Sequence, residues 1–185
     1  MLRQLLRCAP ALVLACLAVW AFTGPRQAAA EDTKVTRLDP GAVVKQVHRY
    51  QRETWRWQKL MGVRPTPRSR AAETDPSIKF KLWVRKLWHR RAVRARRKAA
   101  RPPHRSGWLC IHRYEGPWRD PNAPYYGGLQ MDLSFQRTYG RELFRRKGTA
   151  DHWTPLEQMW VAERAHRSGR GYYPWPNTAR SCGLI

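Results

Sequence analysis

Phe80, Trp83, Val84, Leu87 and Trp88 fall at i, i+3, i+4, i+7 and i+8 inside residues 79–105, a stretch with twelve Lys or Arg and no acidic residue. This pattern leaves one solution: a helix with a single apolar stripe and a cationic remainder. Such a helix must lay its stripe on another apolar surface, because the charges cannot be buried unpaired. The stripe ends at Trp88, and residues 89–101 are mostly Arg, Lys and Ala until Pro102-Pro103 closes the segment. A matching surface lies upstream. Val43, Val47, Tyr50, Thr54, Trp57 and Met61 are spaced 4, 3, 4, 3 and 4, which predicts an amphipathic helix over residues 42–61. Residues 62–77 hold three Pro and one Gly, a turn or linker, so the second helix starts near Pro76 or Ser77. The two stripes fit one another as a helical hairpin, with residues 31–41, including Pro40-Gly41, as a linker or lead-in.

The charge is unevenly placed. The 185-residue chain carries 36 Lys plus Arg against 13 Asp plus Glu, a net +23. A charge of this size suggests a polyanionic partner, and nucleic acid is the first candidate. Residues 106–185, however, hold eleven basic and seven acidic residues, a net of +4. The excess therefore belongs to the helical segment before them. With 42% hydrophobic residues and ten Trp, the chain is too apolar to be wholly disordered. It has one long apolar run, which excludes a multi-span membrane protein. Four Cys are too few for a small disulfide scaffold.

Residues 1–30 read as a secretory signal. Arg3 and Arg7 form the positive end, residues 8–22 the apolar stretch, and Ala28-Ala29-Ala30 a small-residue cleavage site before Glu31. The rival reading is an uncleaved membrane anchor, although the run is short for a span of ~20 residues. Cleavage would remove Cys8 and Cys16 and leave Cys110 and Cys182. An even pair in an oxidising compartment argues for one disulfide. The metal alternative has poor spacing, with no CxxC or HxxxH nearby, and neither a metal nor a cofactor is expected.

Residues 106–185 are expected to form a second, mostly helical domain. A short helix over Trp108–Tyr114 is stopped by Gly116-Pro117, and residues 125–131 (YYGGLQM) suggest a hairpin. Residues 134–146 suit a helix ending at Gly148. Thr154-Pro155-Leu156-Glu157 is a capping box with Pro at the first helical position, opening a helix that ends near Ser168-Gly169. Residues 170–182 form a Gly/Pro/aromatic tail. Eighty residues make a marginal core. A Cys110–Cys182 bridge would tie the tail to the first helix and stabilise it by roughly 4 kcal/mol.

Glu115 shares a helix face with Trp108 and Ile111, and Tyr114, Gly116, Pro117 and Trp118 surround it. A carboxyl among aromatic surfaces loses solvation, which favours its neutral form. A neutral carboxylic acid is what protonation of a glycosidic oxygen requires. Spacing alone favours a plainer role, a helix-terminal Glu paired with Arg113 or Arg119. Asp120 and Asp132 are the nearby acids that could act as a second carboxylate, and Asp132 could orient a sugar or a water, but both read better as turn residues. Tyr172, Tyr173 and Trp175 suit either sugar stacking or tail packing. His112, His152 and His166 lack metal-ligand spacing.

The ordered set Glu115-Gly116 with Trp118, Tyr125-Tyr126-Gly127-Gly128-Leu129-Gln130, Glu157-Gln158 leading to Ala162-Glu163-Arg164, Gly171 with Trp175-Pro176, and a closing Cys182 resembles the transglycosylase-like domain of the resuscitation-promoting-factor family. These are small lysozyme-like enzymes that cleave peptidoglycan in actinobacteria. The resemblance covers about residues 108–182, and YYGGLQ is its most specific piece. It implies an α+β, mostly helical, lysozyme-like domain with a short β-hairpin over residues 106–185, behind a basic helical segment at 31–105. It implies that Glu115 is the catalytic acid and that Tyr125, Gln130, Trp118, Tyr126 and Trp175 contact sugars. It also implies a Cys110–Cys182 pairing. The implied substrate is the bond between N-acetylmuramic acid and N-acetylglucosamine in peptidoglycan glycan strands. With a single Glu, the sugar's own 6-hydroxyl or a water completes the cleavage. The alternative is a non-catalytic peptidoglycan-binding module of the same fold. The chain departs from the family pattern in three places: Cys110 lies five residues before Glu115 rather than next to it, Gly116-Pro117-Trp118 is shortened, and Phe135-Gln136 replaces a frequent Thr-Trp pair.

A secreted or wall-associated monomer is expected. Its basic residues 31–105 would contact an anionic wall or membrane surface rather than nucleic acid, or serve as a plain helical spacer.

Overall fold

The computed structural model describes residues 38–185. The signal or anchor read at residues 1–30, with Cys8 and Cys16, lies outside the described residues. Helix α1 spans Pro40–Leu60. Its cap is Asp39, whose carboxylate accepts the N–H groups of Gly41 and Ala42 at 2.8 and 3.0 Å. Pro40 sits where a helix needs no N–H donor, so the Pro40-Gly41 lead-in already belongs to the helix. A single turn, α2 (Ala71–Thr74), interrupts the linker. Helix α3 spans Ile78–Ala99 and opens on Ser77, whose hydroxyl accepts from Phe80 N–H.

Helices α1 and α3 pack around Val47, Ala72, Val84 and Trp88, but as a parallel pair and not as the expected hairpin. Gln46 meets Arg85, Tyr50 meets His89 and Met61 meets Ala99, because the linker doubles back along α1, pairing Thr66 with Gln58, Ser69 with Gln51 and Glu73 with His48, before α3 begins. The α3 stripe differs from its sequence reading in two further ways. It does not stop at Trp88, because Ala92, Ala95 and Ala99 continue it as buried residues. Trp83 is not part of it and stays 54% exposed. Alanines carry the face onward because a methyl lets two helices approach closely. The returning linker is held from inside the pair. Buried Lys81 donates to the carbonyls of Ala72 and Asp75 at 2.7 and 2.5 Å, and buried Gln51 donates to Ser69 O at 2.8 Å.

After this pair, α4 runs Arg105–Glu115. Strands β1 (Tyr125–Tyr126) and β2 (Met131–Asp132) pair antiparallel, with Tyr125 opposite Asp132 and Tyr126 opposite Met131. Then come α5 (Leu133–Tyr139), α6 (Arg141–Lys147), a 3₁₀ turn at Ala150–His152, α7 (Pro155–Ala165), a wide turn at His166–Arg170 and α8 (Pro176–Ser181). The protein is mostly helical, of α+β class, with one short two-stranded sheet. The helix expected over residues 134–146 is broken in two at Gly140, whose φ of −113° and ψ of 15° depart from helical values. Trp153 holds this position to glycine: a Cβ there would lie 2.5 Å from its ring. Residues 170–182, read as a tail, hold α8, which has Pro176 at its start.

Trp108, Ile111, Leu129, Met131, Trp153, Val161 and Trp175 form the main core. Helix α7 is its axis and is buried on nearly all sides, from Gln158 through Glu163. Its capping box forms as its sequence requires, with Thr154 and Glu157 bonded reciprocally. The far side of α7 meets the α1–α3 pair. Trp160 packs on Met61 and Ala99, and its indole N–H donates to Ala99 O at 2.7 Å. Arg164 donates to Lys59 O and Leu60 O at 3.0 and 2.7 Å, and Arg167 to Met61 O at 2.6 Å. Gly62 makes this possible: its φ is +63°, and a Cβ there would lie 2.8 Å from Arg164 Nε. Through these contacts residues 38–185 form one compact unit.

Candidate active site

Glu115 is the last residue of α4, followed by Gly116 in an extended left-handed conformation (φ 141°) that releases the chain into the loop. The buried face of α4, Trp108 and Ile111, sets the rotation of the helix and leaves Glu115 half-buried at its end. Its recorded partner is neither Arg113 nor Arg119. The hydroxyl of Thr178, on α8, donates to Glu115 Oε1 at 2.7 Å. Thr178 has one proton to give and lies farther, at 3.4 Å, from Trp175 O, so the carboxyl takes it. Oε2 has no hydrogen-bond partner among the described residues.

The disulfide between Cys110 on α4 and Cys182 after α8 joins the same two helices, with the Cα atoms 6.0 Å apart. It fixes the helix bearing Glu115 against the helix bearing Thr178.

Gly116 also faces the hairpin loop. A Cβ on it would lie 3.6 Å from Gln130 Nε2 and 3.7 Å from Asp120 Oδ2. Gln130 donates to Asp120 Oδ2 at 2.8 Å and to Gly127 O at 3.1 Å. Its φ of 45° is left-handed, a strained state for a side-chain-bearing residue. The two hydrogen bonds from its side-chain amide, to Asp120 and Gly127, stabilise that state. Asp120 is a turn residue, accepting from Asn122 N–H at 3.1 Å, and it also holds Gln130 in place beside Gly116.

Tyr125, Gln130, Asp132, Arg170 and Trp175, among others, line a groove of about 220 Å³. Tyr125 is half exposed there, whereas Trp175 is only 4% exposed. The Trp175 indole donates to Leu129 O at 2.6 Å, and its ring meets Trp108 and Phe135 edge-on. Trp175 is therefore a fixed edge of the groove. Glu115 does not line the groove; its partner Thr178 lies 3.4 Å from the carbonyl of Trp175, which does, and Gly116 faces Gln130. Trp118 and Tyr126 do not line it. Trp118 stacks on His112 with ring centres 3.9 Å apart, and its carbonyl accepts from Gln158 at 2.7 Å. Tyr126 packs against the core. Asp132 caps α5 through Phe135 N–H. A larger cavity, about 410 Å³, lies between α1 and α6–α7 and contains none of the expected catalytic or sugar-contacting residues.

The Gly-Gly of YYGGLQ has a steric cause. A Cβ at Gly127 would lie 2.6 Å from Gln158 Oε1, and one at Gly128 would lie 2.6 Å from His112 Nδ1 and 2.9 Å from Trp118 Cα. Gln158 fills the space beneath and donates to Trp118 O and Ala150 O.

Thr178 has no role in the sequence reading; its one local signal is Pro176 at a helix start two residues earlier. Asp120, readable as a turn residue or a second carboxylate, instead anchors Gln130. Glu163, which the sequence shows only within Ala162-Glu163-Arg164, is wholly buried; it accepts from His104 N–H and Trp108 Nε1–H, each at 2.8 Å, and pairs with His104 Nδ1 at 3.1 Å. It sits under an aromatic cluster with His166 and Tyr172. Burial, with His104 adding to it, holds the His166 imidazole below its ordinary pKa against the pull of Glu163. Burial and Glu163 both raise the Tyr172 phenol. Among the described residues no group of three or more His, Cys, Asp or Glu is placed to hold a metal ion.

Compared with protein-family models, curated proteins and solved structures, the chain matches none, so the family resemblance rests on the order of its sequence motifs.

Proposed function

We propose that the protein is a secreted, wall-associated enzyme that cleaves peptidoglycan glycan strands between N-acetylmuramic acid and N-acetylglucosamine, with Glu115 as the single catalytic acid. The observation that supports this reading most is the posture of Glu115. One carboxyl oxygen is held by Thr178 and, among the described residues, the other has no hydrogen-bond partner, at a helix end whose partner Thr178 lies against Trp175 of the Tyr125–Gln130–Trp175 groove. A proton on Oε2 would face outward, available to the bridging oxygen of a bound glycan. As that oxygen takes the proton and the C–O bond breaks, an oxocarbenium-like sugar develops. The carboxylate then accepts a proton either from the sugar's 6-hydroxyl, giving a 1,6-anhydro end, or from water, giving a reducing end. Gln130, immobilised by Asp120, is a sugar contact in this reading, and Tyr125 offers an exposed ring. The disulfide fits an oxidising compartment outside the cytosol.

Release of muropeptides from purified walls tests this. Wild type should release them and Glu115→Gln should lose at least a hundredfold in rate, the usual weight of a general acid. Equal release by both would leave a glycan-binding module without catalysis. Mass analysis of the products distinguishes anhydro from reducing ends.

A further inference from the structure

Packing of α3 on α1 leaves one face of α3 as a straight cationic row. Lys86, Arg90, Arg94 and Arg97 are spaced 4, 4 and 3, are all exposed, and lie opposite the buried line of Val84, Trp88, Ala92, Ala95 and Ala99. None of the four makes an ion pair among the described residues. Other cations of the helix are used internally: Arg85 donates to Gln46 at 3.2 Å, and Arg91 lies over the Trp88 ring at 4.8 Å. The row advances one charge per helical turn, ~5.4 Å, over about 16 Å. At its N-terminal end, in the same line, stands Trp83. It is 54% exposed and is backed by Phe80, which stacks on it at 5.7 Å.

We infer that this row binds a linear acidic glycan, with the four cations on successive anionic groups and Trp83 against a sugar ring. A membrane surface fits less well. The apolar stripe of α3 is spent on α1, so Trp83 is the one large exposed apolar side chain that this helix could immerse. A nucleic acid fits less well too, because single strands are bound by successive aromatic platforms and the disulfide fits a compartment outside the cytosol. The inference rests on the proposed glycan cleavage only for the identity of the polymer. Binding is measured with the full chain carrying Glu115→Gln, so a failure here leaves the muropeptide assay untouched.

The probes are polygalacturonate, ring-free polyphosphate, phosphatidylglycerol vesicles and oligo(dT), at equal anion concentration. Four cations on a single-stranded polyanion give a salt slope of about −3, so affinity for polygalacturonate should fall about fifty-fold between 50 and 200 mM salt. Lys86→Gln/Arg90→Gln/Arg94→Gln/Arg97→Gln, substitutions at solvent-facing positions by a good helix former, should abolish most of that slope and weaken binding more than tenfold with unchanged circular dichroism. Trp83→Ala should weaken binding to polygalacturonate and leave polyphosphate binding unchanged. Equal binding by wild type and the quadruple variant, an equal effect of Trp83→Ala on both polymers, or tighter binding to vesicles or oligo(dT) than to the glycan would each overturn the inference.

Discussion

Glu163 offers the sharpest test of the packing scheme. Its side chain is wholly buried, and its partners include two N–H groups that can only donate, His104 N and Trp108 Nε1, both on Oε1. Oε2 meets His104 Nδ1, which can donate or accept according to its tautomer. Glu163→Leu keeps the volume but removes both acceptors. Each donor left buried costs about 1–3 kcal/mol, so the variant should lose roughly 2–6 kcal/mol. Glu163→Gln should behave differently. Its amide oxygen can keep both donors, and its NH₂ can donate to a neutral imidazole at the former Oε2 position. The loss should then be about 1 kcal/mol, the difference between charged and neutral hydrogen bonds. Urea unfolding followed by tryptophan fluorescence, with an unchanged m-value, measures both. A Leu variant within 1 kcal/mol of wild type, or a Gln variant as unstable as Leu, would refute the account of Glu163 as an acceptor for trapped donors.

Four further outcomes follow from the same geometry. Replacing Cys110 and Cys182 by Ala opens a 72-residue loop; it should cost about 4 kcal/mol and lower Tm by roughly 10 °C or more, read by calorimetry. Gly62→Ala places a Cβ 2.8 Å from Arg164 Nε at a left-handed φ, so urea unfolding should show a loss of about 2 kcal/mol. Thr178→Val removes the hydroxyl that holds Glu115, and muropeptide release should slow about tenfold, the equivalent of a hydrogen bond of roughly 1.4 kcal/mol. At Glu157, burial opposes the charge, but Lys147 and Thr154 overcome it and hold the pKa below its usual 4.5. A carboxylate with a lowered folded pKa stabilises the fold above the unfolded value and loses that contribution as pH falls through the folded one. The stabilities of wild type and Glu157→Gln should therefore differ at pH 7 and converge below about pH 4.5.

Much of the fold was legible because local chemistry and tertiary packing agree. Ser77 and Thr154 announce their helices as N-caps, and the Val43–Val47–Thr54–Met61 spacing marks the buried side of α1. YYGGLQ carries its hairpin in the Gly-Gly pair. The misreadings arose where a distant side chain decides. Nothing near Gly140 in sequence reveals that the Trp153 ring will pack against it. The alanines of α3 read as filler between arginines, since an Ala contributes little to an apolar pattern and much to close approach. Trp83 fits the stripe by spacing yet faces solvent, because Val84 and Trp88 set the helix rotation. At the candidate site, Glu115 could be picked out and Thr178 could not: the pairing spans 63 residues and depends on a disulfide that brings two helices together.

The arginine contacts beneath α7 also govern the order in which the chain can complete itself. The carbonyls of Leu60 and Met61 end α1, yet their donors Arg164 and Arg167 lie 104 and 106 residues further on. A ribosome makes α1 and α3 before either guanidinium exists, so the two helices can pair while the last turn of α1 is still hydrated. The earliest of the described helices is thus completed at its C-terminal end by residues synthesised long after it.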